Sequence, residues 1–158
     1  MSFLVSGLFH ASASLGIAEQ ADQVARRGIA GRINGDPRPR TQVADNVIDL
    51  AAARGVLARA ARLIDAHRAA NAASDGDAEA LAALFAEAQA AKAFVGEAAA
   101  RTVERALALS GGAGYVNGSP LARAYRDVKA GSFMHPLGAN RAYDYLAQVA
   151  LGEQPPLH

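Results

Sequence analysis

LALSGGAGYVNGSPLARAYRDVKAGSFMHPLGANRAYDYLAQVAL, residues Leu107–Leu151, sets helix stops, a helix start and a loop against an otherwise uniform helical chain. Gly111, Gly112 and Gly114 follow the apolar positions Leu107 and Leu109 and supply the positive φ that closes a helix. Ser119-Pro120 reads as a hydroxyl N-cap with proline at the first helical position. It opens a short helix to about Lys129. Residues 131–138 form a loop around His135-Pro136. A last helix runs from about Ala139 to Leu151, with Tyr143, Leu146 and Ala150 expected inward.

Upstream, apolar residues at three- and four-residue steps predict three long helices. The first spans about Phe3 to Arg27 on the stripe Leu4, Leu8, Ala11, Leu15 and Ala18. Arg26 and Arg27 complement the dipole of its last turn. A loop over Gly28 to Thr41 carries Gly31, Gly35, Pro37 and Pro39. The second helix runs from about Gln42 to Ala72, with Val43, Val47, Leu50, Leu57, Ala61 and Ile64 inward. Asp75 or Asp77 is the expected N-cap of the third, about Ala78 to Leu109, with Leu81, Leu84, Phe85, Ala88, Ala91, Val95, Ala98, Thr102 and Leu109 inward. No segment reads as a strand or a repeat. The fold class is all-α: an antiparallel four-helix bundle with one short extra helix. Residues 1–152 form the domain and 153–158 a tail.

The 158 residues suit one domain, and an apolar half with a charged fifth suits a soluble globule. A net charge of +1 argues against nucleic acid or an anionic membrane as partner. No cysteine is present, which excludes disulfides and thiolate chemistry. The histidines show no metal-ligand spacing, so no metal is expected. The apolar opening is short for a membrane span of about 20 residues, and it lacks the basic n-region of a secretory signal. The cytoplasm is the default compartment.

Leu109-Ser110-Gly111-Gly112-Ala113-Gly114-Tyr115 followed by Pro120-x2-Arg123-x2-Arg126-Asp127 resembles the C-terminal domain of the acyl-CoA dehydrogenase superfamily. Gly35, Pro37 and Gln42 keep the spacing of a second motif in that family. Asn34 stands for its usual phenylalanine and Gly31 for its usual arginine, which leaves Arg32 or Arg27 as the substitute. Many dehydrogenases of the family place a glutamate base eight residues beyond the Arg-Asp pair. Here that position is His135, and no acid lies between Asp127 and Asp144. His135-Pro136 followed by Asn140 is more similar to the flavin-dependent monooxygenase branch. The family's N-terminal helical and middle β-domains have no counterpart in the chain, which looks like a C-terminal third.

The resemblance implies FAD as cofactor, with FMN the alternative. It implies acyl-CoA or a small aromatic as substrate, and a homo-oligomer, dimer or tetramer, through the bundle faces. It makes His135 the candidate catalytic acid–base group and Arg32, Gln42, Gly111, Gly112 and Gly114 the candidate flavin contacts. Each has a plainer reading. His135 is then a loop histidine, the glycines are a helix stop, and Gln42 merely opens a helix. Arg38 and Arg40 read as solvated, Glu97 and Glu104 as surface charges, His10 as a core histidine, and Arg126-Asp127 as an ion pair. Two functions follow: a domain of a flavin-dependent oxidoreductase, inactive as an isolated chain, or a non-catalytic helical oligomerisation module.

Overall fold

The computed structural model describes residues 2–31, 33, 36–71, 77–134 and 137–156, side chains of 2–4 excepted. These form helices α1 (Ser2–Ile29), α2 (Arg38–Ala70), α3 (Ala78–Ser110), α4 (Gly112–Tyr115), α5 (Pro120–Ala130) and α6 (Ala139–Ala150), with one 3-10 turn at Gly131–Phe133. Strands are absent among the described residues, so the all-α bundle holds. None of these helices is long and apolar enough to cross a membrane.

α3 is the central column and touches α1, α2, α5 and α6. α2 runs antiparallel to α3, since Arg59 pairs with Glu87 at one end and Asp49 with Arg101 and Arg105 at the other. α1 is antiparallel to α2 in turn, through Glu19–Arg54. The fourth column is broken in two. α5 packs Leu121 near Leu107 of α3 across Gly114, and α6 packs Tyr145 edge-on against Phe85. The break between them is the loop that carries His135.

Local sequence explains most helix ends. The Asp77 carboxylate accepts from the amides of Glu79 and Ala80 at 2.8 and 3.1 Å and caps α3; Asp75 lies outside the described residues. α2 starts at Arg38, earlier than the sequence suggests. Prolines at a helix start lose no hydrogen bond and already hold helical φ. The Asp36 carboxylate also receives the Arg38 amide at 3.0 Å and its guanidinium.

The core divides at the break. Ala11, Leu15, Ala18, Leu50, Val95, Val103, Leu121 and Val128 pack in the α5 half. Leu8, Ala60, Ile64, Phe85, Leu137 and Tyr145 pack in the α6 half. Alanines at α1–α3 contacts let those axes approach closely. Two stripes are shifted from expectation. Val47 is half exposed, because Asn46 takes the core position next to it. On α6, Ala142 and Tyr145 are buried while Tyr143 is half exposed and Ala150 exposed. The Phe85–Tyr145 contact sets that rotation.

Asn46 belongs to a polar chain through the bundle. Its amide donates to Asp22 Oδ1 at 3.0 Å and its oxygen accepts from Arg105 at 3.0 Å. Asp22, fully buried, also pairs with Arg26. Asp49 accepts from Arg101 at 2.9 Å and Arg105 at 2.8 Å. The Arg101 hydrogen bond, assisted by Arg105, holds the Asp49 carboxyl below its ordinary range. A carboxyl with its folded pKa below the unfolded value of about 3.9 stabilises above that pH and loses the contribution as pH falls further. Urea midpoints should therefore fall from pH 5 toward pH 3, and Asp49→Asn should flatten that slope. An unchanged slope contradicts the role given to this cluster.

Candidate functional site

Breaking the fourth column opens a groove of about 190 Å3 between α1, α3 and the ends of α5 and α6. Small residues form its floor: Ala11 and Ser14 from α1, Ala93, Gly96 and Ala100 from α3. Its polar groups are His10, Lys92, Glu97, Lys129, Ser132 and Tyr143. α1 approaches the loop so closely that a Cβ on Gly131 would lie 2.8 Å from Ser14 Oγ. Leu137, 1 % exposed, plugs the far end of the loop into the core.

Lys92 is the group that sequence reading missed. It lies next to the buried Ala91 on α3, only 7 % exposed. Its Nζ donates to the carbonyl oxygen of Leu137 at 2.7 Å and to that of Met134. Burial pushes its pKa below the ordinary lysine value. At the groove mouth the Tyr143 hydroxyl donates to Glu97, and that hydrogen bond holds the phenol pKa above its ordinary value. His10 is half-buried on the groove wall, so it is no core histidine. Glu97 is an exposed surface charge, as expected, and it accepts the Tyr143 hydroxyl.

His135 and Arg32 lie outside the described residues, as does Gly35. The described residues on either side of His135-Pro136, Met134 and Leu137, are tied to Lys92 of α3. Gln42 is half-buried in the second turn of α2. The glycine turn sits beyond the other end of α3, roughly 28 Å of helix from Lys92. The glycine turn thus lies at a different height of the bundle from the groove.

The glycine turn is mostly occupied with itself. Gly111, at φ 59°, closes α3, and its amide bonds Ala108 O at 3.1 Å. The Gly114 amide bonds Gly111 O at 3.0 Å. A Cβ on Gly114 would meet Ser110 Cβ at 2.9 Å and Leu107 Cδ1 at 3.2 Å. Gly114→Ala should cost about 1–3 kcal/mol through overpacking, read as a lower urea midpoint with unchanged slope; a neutral result contradicts the packing role. Gly112 is exposed, as are Tyr115 and Val116 beside it. Arg126 and Asp127 are both exposed and make no ion pair with each other among the described residues.

A flavin would need more than the described residues provide. The groove is smaller than the roughly 300–1,000 Å3 that encloses a whole ligand, and two of the three turn glycines spend their amides internally. What fits is one wall of a larger site.

The chain is similar to known proteins over most of its length. The model of the acyl-CoA dehydrogenase C-terminal domain matches residues 8–136. The amino sugar nitrososynthase DnmZ of Streptomyces peucetius is 41 % identical over 138 residues, 87 % of this chain and 34 % of its own length. The crystal structure of a nitrososynthase from Micromonospora carbonacea var. africana aligns with TM-score 0.80 and 37 % identity, over 90 % of this chain and 36 % of that one. KijD3, solved with FMN and dTDP-3-amino-2,3,6-trideoxy-4-keto-3-methyl-D-glucose, aligns with TM-score 0.88 and 32 % identity, over 98 % of this chain and 38 % of that one. The chain spans about a third of the length of these relatives. With its broken fourth column, its glycine turn and these matches, the chain belongs to the acyl-CoA dehydrogenase C-terminal domain family.

Proposed function

We propose that this chain, with residues 1–152 as the domain and 153–158 as its tail, is the C-terminal part of a flavin-dependent monooxygenase. It acts in the cytoplasm on the amine of a nucleotide-linked amino sugar, with His135 as its acid–base residue. The single observation that carries this is the groove at the break between α5 and α6, lined by Ser132 and Leu137 on either side of the histidine in sequence. No acid stands on that loop where dehydrogenases keep a carboxylate base, and Glu97 on the wall is tied to Tyr143. An imidazole titrates near neutral pH, which suits moving a proton from an ammonium or a hydroxyl better than abstraction from a C–H bond. The nitrososynthase relatives favour an amino sugar over acyl-CoA or a small aromatic.

A bound flavin, FAD or FMN, supplies the redox chemistry. This chain's residues orient substrate, exclude water and hold a proton at the imidazole. Ser14 and Ser132 offer hydroxyls to a sugar, and the small floor residues leave room for its ring. Gln42 and Gly112, at the other end of the bundle, together with Arg32 by its motif position, are the groups left for the far end of a dinucleotide flavin. Other domains complete the enclosure, so the isolated chain should bind flavin weakly and show no turnover. Titrating the chain with FMN and with FAD, followed by fluorescence quenching, tests this. Weak saturable binding is expected; none at millimolar flavin removes the flavin role from this chain.

One observation favours a second use of the same bundle. Val47 and Ile48 on the outer face of α2 are 50 and 65 % exposed, beside exposed alanines. Such a face suits contact with a second copy in a closed dimer or tetramer. Light scattering should report an oligomer that Ile48→Glu dissociates; a monomer at high concentration contradicts it.

A further inference from the structure

We propose that Glu97 and Tyr143 form an ammonium-recognising subsite in the groove, one that selects an amine on a compact apolar ring over the corresponding alcohol. The inference deepens the amino-sugar reading given above and rests on it. The two side chains come from different helices, Glu97 from α3 and Tyr143 from α6. The Tyr143 hydroxyl donates to Glu97 Oε1. Glu97 Oε2 accepts no hydrogen bond among the described residues, and Arg101 faces it only at 3.8 Å. The pair therefore presents one free carboxylate oxygen and the lone pairs of a phenol whose proton is already committed. An ammonium has three donors and no acceptor, so it matches groups of this kind.

The other charges at the groove are engaged. Lys92 donates to the carbonyls of Met134 and Leu137. Lys129 stands 5.9 Å over the Tyr125 ring. No second carboxylate lines the groove among the described residues, and His10 stands on the α1 wall. Glu97 is thus the charge left open to a ligand, and a cationic donor bonds a carboxylate more strongly than a neutral hydroxyl does. The space beside it suits a ring. A Cβ on Gly96 would meet nothing within 4 Å, and Ala93 and Ala100 lie about a turn to either side of Glu97. The groove volume of about 190 Å3 is of the order of the ~150 Å3 cavity that holds benzene. Glu97 is exposed at the mouth, so water competes and the selection should be modest.

The test is an amide NMR titration of the chain with cyclohexylamine and with cyclohexanol, which share a ring and differ at the group that meets Glu97. Cyclohexylamine should give saturable shifts at residues 96–100 and 139–143, with an affinity roughly 5–10-fold tighter than cyclohexanol. Added salt should shrink that preference. Glu97→Gln should abolish it and leave cyclohexanol binding unchanged, and Tyr143→Phe should weaken the amine alone. Both side chains are exposed, so neither variant should unfold the bundle. Equal affinity for the two probes, no saturable shift from either, or a preference that survives in Glu97→Gln overturns the proposal. So do amine shifts spread equally over the surface carboxylates Glu79 and Glu104. Failure of the flavin reading is seen separately: FMN then leaves the spectrum unchanged while the amine preference remains. FMN binding without an amine preference removes this subsite and leaves the flavin role.

Discussion

Phe85→Ala should lower the stability of the bundle by about 3–5 kcal/mol and its thermal midpoint by roughly 10 °C. Phe85 is fully buried in the α6 half of the core. Its ring centroid lies 4.9 Å from that of Tyr145 with the planes at 86°, an edge-to-face contact worth more than its area alone. The loss combines the transfer term of a large side chain with a cavity between two stiff helices. It also uncouples α6, which leans on α3 through this pair and Leu137. Total stability of a domain this size is about 5–15 kcal/mol, so the variant should sit near the edge of folding. Tyr145→Phe is the control. It keeps the ring and removes a buried hydroxyl that has no hydrogen-bond partner among the described residues, so stability should hold or rise. Urea titration of both variants checks the pair. A small loss in Phe85→Ala would mean that the broken fourth column is not anchored where this contact places it.

His135→Ala should leave flavin affinity nearly intact and reduce turnover about 10²–10⁴-fold once the chain is assembled with flavin and the domains that complete the site. The size follows from the lack of a substitute. The loop carries no acid, Lys92 is spent on two carbonyls, and Glu97 on Tyr143. Steady-state kinetics and flavin titration on the same preparation separate the outcomes. Loss of affinity with turnover preserved would make His135 a structural loop residue.

Much of the fold is legible in the sequence because helices announce themselves locally. The stripe Leu8, Ala11, Leu15 and Ala18, the Asp77 cap and the Ser119-Pro120 start each act within a few residues. The facing of α6 is not local. Tyr143 and Tyr145 are equally good inward candidates, and only the position of Phe85 on another helix chooses between them. The polar chain Asp22–Asn46–Arg105 is hidden for the same reason, since each member alone reads as a solvated residue.

The site divides in the same way. The glycine turn and the histidine loop stand out because glycine and proline break helical periodicity. Lys92, Glu97 and His10 do not, because nothing within their own helices distinguishes a groove wall from a surface. It is the break between α5 and α6, a tertiary event, that turns a lysine beside an apolar stripe into a clamp. The same break makes two amphipathic helix positions into a wall.

The most direct test of the central claim, that this bundle contributes one wall of a flavin enzyme's site at the His135 loop, is an amide NMR titration of the chain with FMN and then with dTDP. FMN shifts are expected at the groove, around His10, Ser14, Lys92–Glu97 and Ser132–Tyr143, with the Leu50–Ile64 stretch of α2 and the distant Gly112 silent. Shifts confined to that α2 stretch, or none at millimolar flavin, would contradict it.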